Sequence, residues 1–334
     1  MARLVGVLSV AHSPFCYMEP ERWNEVRASR SLRADVPRDD LATNRAKAAR
    51  IQSAFAALRE RLSAARPDVL VVFGDDQLER FDFGNFPSFA VYVGAQFDGA
   101  LWAGRVAGVR PHGADAARAP MARLSGHPEL GTALLAGLME RGFDPAFCMD
   151  TEATGTALGH AFVRPAESLT DLTTPIVPVL LNCYYAPQPT GRRCYQLGVA
   201  VAEVIAAYPG DLRVAVIGSG GLWHTPRAAD AYLDEAFDRA MLAHMEAGDP
   251  EAMAKAFDAY VVPPGDRSQD AGPRGPGVTG MPSPGGPQGG TRETCNWIAA
   301  AGAAGRRAAR VVDYVPVYAS PVGAAFAYWP DLSP

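Results

Sequence analysis

A chain of 334 residues with 48% hydrophobic and 20% charged residues is long enough for one large α/β domain or two ordinary ones, and that balance excludes a disordered tail or a coiled coil as a description of the whole. Lys and Arg total 31 against 36 Asp and Glu, a net charge of -5, which leaves no positive excess to track a phosphate backbone and argues against nucleic acid as a partner. No run of about 18 apolar residues is present and the chain starts on a strand-like stretch without a cleavage-site pattern, so a cytoplasmic protein that does not engage a membrane is expected.

In chain order, Leu4 to Val10 is a short apolar run suited to a strand buried on both faces, and it leads into His12, Ser13 and Pro14. From Asn44 onward, Ala48, Ile51, Phe55, Leu58 and Leu62 recur at spacings of three and four, one apolar stripe of an amphipathic helix. Pro67 to Phe73 predicts a second buried strand, and Leu130 to Met139 a helix stopped by Gly142. Strands are expected at Ile176 to Leu181 and Leu212 to Ile217, with a helix between them burying Cys194, Leu197, Val201, Ile205 and Tyr208. A further helix is expected from about Pro226 to Gly248 with Leu233, Phe237, Ala240 and Met241 inward. After it come a helix from Glu293 to Ala301 and strands at Arg310 to Val315 and Gly323 to Trp329.

Between them, Pro263 to Gly290 holds 7 prolines and 9 glycines in 28 residues and too little apolar surface to offset its ordering, so it predicts a mobile loop. The elements after it are too few to fold alone. The expectation is therefore a layered α/β fold, a single domain over residues 1–334 with a mostly parallel or mixed central sheet flanked by helices and residues 263–290 inserted. The five cysteines (Cys16, Cys148, Cys183, Cys194, Cys295) are scattered and form no C-x-x-C pair, so they read as reduced and buried rather than as disulfides or a zinc site.

Of six histidines, His12, His160 and His224 each follow a Gly or apolar segment at an expected strand end, where α/β folds place ligands. His112 in a polar loop, His127 at a helix start and His244 on a helix face look ordinary. In Val216-Ile217-Gly218-Ser219-Gly220-Gly221-Leu222-Trp223-His224, Trp223 stands where a dinucleotide fingerprint needs its third glycine, so the turn better suits a close approach of substrate with His224 as general base. Gly74-Asp75-Asp76-Gln77-Leu78-Glu79 collects oxygen donors past a buried strand and reads equally as a solvated acidic loop or a divalent-metal site. Glu293 opens a helix, where the helix dipole alone makes a carboxylate favourable.

These residues, in this order, resemble the class III extradiol ring-cleavage dioxygenases over most of the chain. The resemblance is carried by Val177-Pro178-Val179 through Asn182, Arg193-Cys194-Tyr195 with Leu197-Gly198, Tyr208-Pro209 with Asp211-Leu212-Arg213-Val214, Gly220-Gly221-Leu222 with His224, and Glu293 with Asn296-Trp297. It implies His12 and Glu293 as metal ligands of a facial triad, His224 as the acid/base residue and His160 as a group near the substrate hydroxyl. It puts Gln77 where the second histidine ligand belongs, flanked by Asp76. Gln77 would be a weaker neutral ligand, or Asp76 or Glu79 would turn inward and make the site harder.

The activity so implied is oxidation or cleavage of a catechol or 2-aminophenol by O2 at Fe(II), with Mn(II) as the alternative. The 263–290 loop would serve as a lid, and residues 15–23 and 184–188, where aromatic and polar residues follow strand ends, read equally as specificity-setting segments or as plain loop packing. A homodimer or a small helical partner subunit is the assembly the resemblance implies. Two other classes compete: a non-catalytic metal-binding scaffold or partner subunit of the same fold, and a metal-dependent hydrolase using Asp76, Glu79 and Glu293.

Overall fold

Seven consecutive buried residues, Val69–Asp75, form β2 near the middle of an eight-stranded sheet in the computed structural model, which describes residues 1–102, 121–150, 157–225, 228–266, 285–330 and 332. Its neighbours are β7 (Ile176–Leu181) and β8 (Arg213–Ser219), and β1 (Arg3–Val10) follows, all four strands parallel. The remaining strands make the sheet mixed. β10 (Val322–Tyr328) runs antiparallel to β1 and β9 (Arg310–Val317) antiparallel to β10, while β3 (Phe89–Tyr92) is antiparallel to β7 and carries β6 (Ala146–Cys148) on its outer edge. A two-stranded ladder of β4 (Gln96–Ala100) and β5 (Met121–Ser125) lies apart from it.

Side chains alternate between two apolar cores, one on each face. Val69, Val71 and Phe73 enter one core and Leu70 and Val72 the other, as a strand buried on both sides requires. On the first face pack α3 (Pro128–Glu140), α5 (Gly191–Ala207), α6 (Glu235–Glu246), α7 (Pro250–Ala259) and α8 (Thr294–Ala304). On the second lie α1 (Trp23–Ala28), α2 (Leu41–Ala65) and α4 (His160–Leu169). Helix α2 buries the expected Ile51, Phe55, Leu58 and Leu62 and starts three residues early, because the Asp40 side chain caps it by accepting from the Thr43 N–H at 2.7 Å. Close seating of α8 on β8 depends on Gly218, where a Cβ would stand 2.7 Å from the Asn296 carbonyl oxygen.

Several expectations need correction. The helix after His224 begins only at Glu235, capped by Asp234, and Ala240 is exposed while Leu242 faces inward. His160 is the first residue of α4 and not a strand end, and Tyr208 terminates α5. Most of the Pro/Gly-rich segment, residues 267–284, lies outside the described residues, as do His112 and residues 226–227. At its described end, residues 286, 287, 289 and 290 are buried, and the last two enter a 3-10 turn, Gly289–Glu293, leading into α8. The segment 15–23 contributes core as well as loop, with Phe15 packed edge-on against Trp23 at 5.5 Å.

One buried carboxyl braces the turn that carries His224. Asp238 of α6 is fully buried, accepts the Trp223 N–H at 2.6 Å and meets the Tyr314 hydroxyl at 2.8 Å. Burial pushes it from 3.8 up to about 8, against the opposing bonds from Tyr314 and Trp223. The folded state therefore holds this proton where the unfolded chain has lost it. Its stabilising contribution is complete below pH 3.8 and declines until pH reaches about 8. Asp238→Asn, which keeps an acceptor for Trp223 and cannot ionise, is expected to flatten the fall of stability across that window. The wild-type slope from this group should approach about 1.4 kcal/mol per pH unit. Urea denaturation at several pH values measures it, and parallel curves for both proteins would refute the assignment.

Candidate metal centre

The four parallel strands end together, and the sheet delivers its chemistry at their carboxyl ends, the usual location for ligand sites in such folds. His12 stands two residues beyond β1. Its Nδ1 lies 2.8 Å from the Ser219 Oγ, and Ser219 in turn gives its hydroxyl proton to the Ala161 carbonyl at 2.6 Å. With that proton spent, the Ser219 oxygen must accept, so the His12 Nδ1 carries hydrogen and Nε2 is the nitrogen offered to the site. The β1–β8 register that sets Val10 opposite Ser219 makes this contact possible. His12 Nε2 stands 3.3 Å from Glu293 Oε2 and 3.7 Å from Asp75 Oδ1.

Glu293 is 1% exposed at the entrance to α8. Its Oε2 accepts the Gly221 N–H at 2.9 Å, and its Oε1 accepts from the Tyr184 hydroxyl and, at 3.3 Å, from the Gln77 amide. Burial by itself would favour the neutral acid. His12, above all, with His224 and the Tyr184 hydroxyl, holds it below the ordinary carboxylate range instead. His12 is shifted the opposite way: burial opposes its charge, but Glu293 and Asp75 raise its pKa.

Asp75 is the last residue of β2 and is fully buried. Its Oδ2 accepts from Gln77 at 2.9 Å, whereas Oδ1 accepts no hydrogen bond. Burial, then repulsion from Glu293, pushes its pKa up to about 7. Buried carboxylate oxygens without a donor are rare, and one facing an imidazole nitrogen that also meets a second carboxylate is what a divalent cation satisfies. The donor set of His12, Asp75 and Glu293 therefore fits a hard or borderline metal ion.

The other expected site residues sort themselves around this centre. Gln77 reaches it through its amide nitrogen, which lies 2.9 Å from Asp75 Oδ2, 2.9 Å from the Tyr184 hydroxyl and 3.3 Å from Glu293 Oε1. Turned over, its oxygen would face two carboxylates. Gln77 thus serves as a donor that ties Asp75 to Glu293. Asp76 points away from the centre: its carboxylate accepts the backbone N–H groups of Leu78, Glu79, Arg80 and Phe81 at 2.8–3.3 Å and shapes the loop. Leu78 pays for that turn with φ of 63°.

Glu79 Oε1 receives the Nδ1 of His160 at 2.7 Å. Burial pushes His160 down to about 3 in spite of that partner, keeping the ring neutral. Its ring stands edge-on to His12 at 4.8 Å. His224 is half-buried, with its backbone N–H on the Thr291 hydroxyl at 3.0 Å.

The sequence offers Asp75 only as one of several oxygen donors in its loop, and it gives no sign of the Ser219 contact or of the Tyr184 bond to Glu293. The parity of Val69, Val71 and Phe73 points Asp75 toward the α8 face and was the available signal, had the strand been carried two residues further. The pairing of His12 with Ser219 had no such signal, since it depends on which strand lies beside β1.

Against known families, residues 7–267 match the catalytic LigB subunit of aromatic ring-opening dioxygenase. The match ends before Glu293, whose place here rests on geometry. The chain is 30% identical over 180 residues to an Escherichia coli 2,3-dihydroxyphenylpropionate/2,3-dihydroxicinnamic acid 1,2-dioxygenase, covering 53% of this chain and 49% of that one. It is 30% identical over 178 residues to a Mycobacterium enzyme of the same description, covering 53% and 50%. With a Pseudomonas putida gallate dioxygenase it shares 37% over 105 residues, 30% of this chain and 29% of that one. The aligned stretch thus spans half or less of the length of each relative.

Protons and a metal ion compete for these donors. His12 must give up its Nε2 proton and Asp75 must be ionised before either can coordinate, so affinity for a divalent cation is expected to climb with pH. Each displaced proton adds up to about tenfold per pH unit. The Asp75 share of that rise ends near its value of about 7. Calorimetric titration with Mn(II) in buffers of different ionisation enthalpy counts the protons released. Binding independent of pH between 5 and 8 would contradict this electrostatic picture.

Proposed function

Because the chain belongs to the family of catalytic LigB subunits of aromatic ring-opening dioxygenases, we propose that it is a metal-dependent, extradiol-type dioxygenase acting on a catechol or 2-aminophenol with O2. Fe(II) is the proposed ion and Mn(II) the alternative, held by His12, Asp75 and Glu293. The observation that carries this reading is the convergence of the His12 Nε2, the donorless Asp75 Oδ1 and the Glu293 Oε2 at the end of a parallel sheet. When bound, the ion supplies the path by which an electron-rich ring and O2 exchange electrons.

The protein's own groups do the rest. Ser219 holds His12 in one tautomer, and Gln77 and Tyr184 hold the two carboxylates by donating to them, so that donors do not have to reorganise when substrate arrives. His224 sits on the turn whose Gly221 N–H grips Glu293, which places its imidazole beside the centre to take the proton of a ring hydroxyl or amine as the substrate binds. Thr291 and Asp238 brace that turn from either side through the backbone N–H groups of His224 and Trp223. Burial of His12, Asp75 and Glu293 keeps water from these groups.

In the same reading the protein works in the cytoplasm, as a homodimer or with a small helical partner subunit. Among the described residues, no helix is long and apolar enough to cross a membrane.

Anaerobic loading with Fe(II) or Mn(II), followed by an oxygen electrode and a panel of catechols and 2-aminophenols, tests the proposal. Oxygen uptake with appearance of a ring-opened product is expected for at least one class. His224→Ala should lower kcat by about 10²–10⁴ with metal content unchanged. A loaded protein that consumes no oxygen with any member of the panel is a scaffold, and one that turns over without oxygen is a hydrolase; either result overturns the reading.

A further inference from the structure

Gln77 contributes no imidazole to the centre, yet a second one stands within reach. A nitrogen of His160, a nitrogen of His12 and a carboxylate oxygen of Asp75 all lie within 4.8 Å of one another. Donors at 2.0–2.2 Å from one ion are separated by about 3 Å when adjacent and about 4.4 Å when opposite, so these three need only small movements to share a metal.

The surroundings of His160 are those of a histidine prepared for coordination. Glu79 Oε1 takes the Nδ1 hydrogen at 2.7 Å and also faces the His160 backbone N–H at 3.3 Å, so one carboxylate oxygen orients the ring and satisfies the first turn of α4. With Nδ1 committed, Nε2 carries the lone pair, the arrangement in which a carboxylate fixes the tautomer of a ligating imidazole and raises its basicity. Gly159 makes room for it: a Cβ there would fall 2.2 Å from Glu79 Oε2. The backbone of Glu79 is in turn held by Asp76 at 3.3 Å. Ser219 does for His12 what Glu79 does for His160, and the two rings meet edge-on at 78°.

We propose that His160, with Glu79 behind it, is a metal ligand in this protein and supplies the imidazole that position 77 lacks, alongside His12, Asp75 and Glu293. The inference rests on the metal-dependent reading above. It moves His160 from the substrate to the ion and leaves His224 as the acid/base group. It also explains the composition of the loop, in which Asp75 coordinates, Asp76 folds the backbone, Gln77 ties the carboxylates together and Glu79 orients the replacement ligand.

Mn(II) is the probe. Free Mn(II) measured by electron paramagnetic resonance gives affinity, and pulsed measurements on protein carrying ¹⁵N-histidine count the coupled imidazoles. Wild type is expected to show two. His160→Gln should show one and bind at least about tenfold more weakly, and Glu79→Gln, the gentler change, should weaken binding about 10–100-fold with both nitrogens retained. Gln77→Ala should keep two. His160→Gln and Glu79→Gln proteins that match wild type in affinity and nitrogen count, whatever their activity, would overturn the ligand role while leaving the metal reading intact. A wild type that takes up neither Mn(II) nor Fe(II) would overturn both.

Discussion

Two carboxylates, Asp75 and Glu293, are buried against one imidazole, each of the three no more than 2% exposed. At an effective dielectric of about 20, unit charges about 4 Å apart interact by about 4 kcal/mol, so a second negative charge here is costly without a cation to offset it. The metal-free protein meets this demand by holding protons: His12 is raised, and Asp75 is raised to about 7. Everything built around the centre serves the same constraint. Gly221, Tyr184 and Gln77 all point hydrogen at the two carboxylates, and Asp75 Oδ1 is left for a partner other than a hydrogen-bond donor.

The sheet makes this concentration of charge possible. Because β1, β2, β7 and β8 run parallel, their carboxyl ends collect residues from four distant stretches of chain in one place. The apolar layers beneath hold those ends, so Asp75 and Ser219, the last residues of their strands, meet His12 and Tyr184, two and three residues past the ends of theirs. Glu293 and His160 come from helix starts, where Glu293 accepts the Gly221 N–H and His160 meets the Glu79 carboxylate.

Much of this architecture was legible in the amino-acid order. Strands buried on both faces are unbroken apolar runs, so β1, β2, β7 and β8 stood out, and Ile176–Leu181 matched to the residue. The short strands β3 and β6, with four and three residues, carry too few side chains to make a pattern. Arg164 and Pro165 in its middle hide helix α4 from pattern reading, and Gly159, its N-cap, resembles the turn after a strand, which is why the sequence suggests a strand end at His160. His12 and Glu293 lie within 3.3 Å of each other, whereas the Asp76 carboxylate accepts the N–H groups of its own loop and the Gln77 amide donates to Asp75. Which of the two aspartates lies beside His12 turns on a single residue of strand length, which hydropathy cannot read through Gly74.

On the proposed reading, one divalent ion binds where His12, Asp75 and Glu293 meet. Anomalous diffraction from crystals of the protein loaded anaerobically with Mn(II) tests it most directly. One strong peak is expected about 2.0–2.3 Å from the His12 Nε2 and from an oxygen of each carboxylate. A peak bound instead by Asp76 or the Gln77 oxygen, or no peak at a loading that saturates the protein in solution, would contradict it.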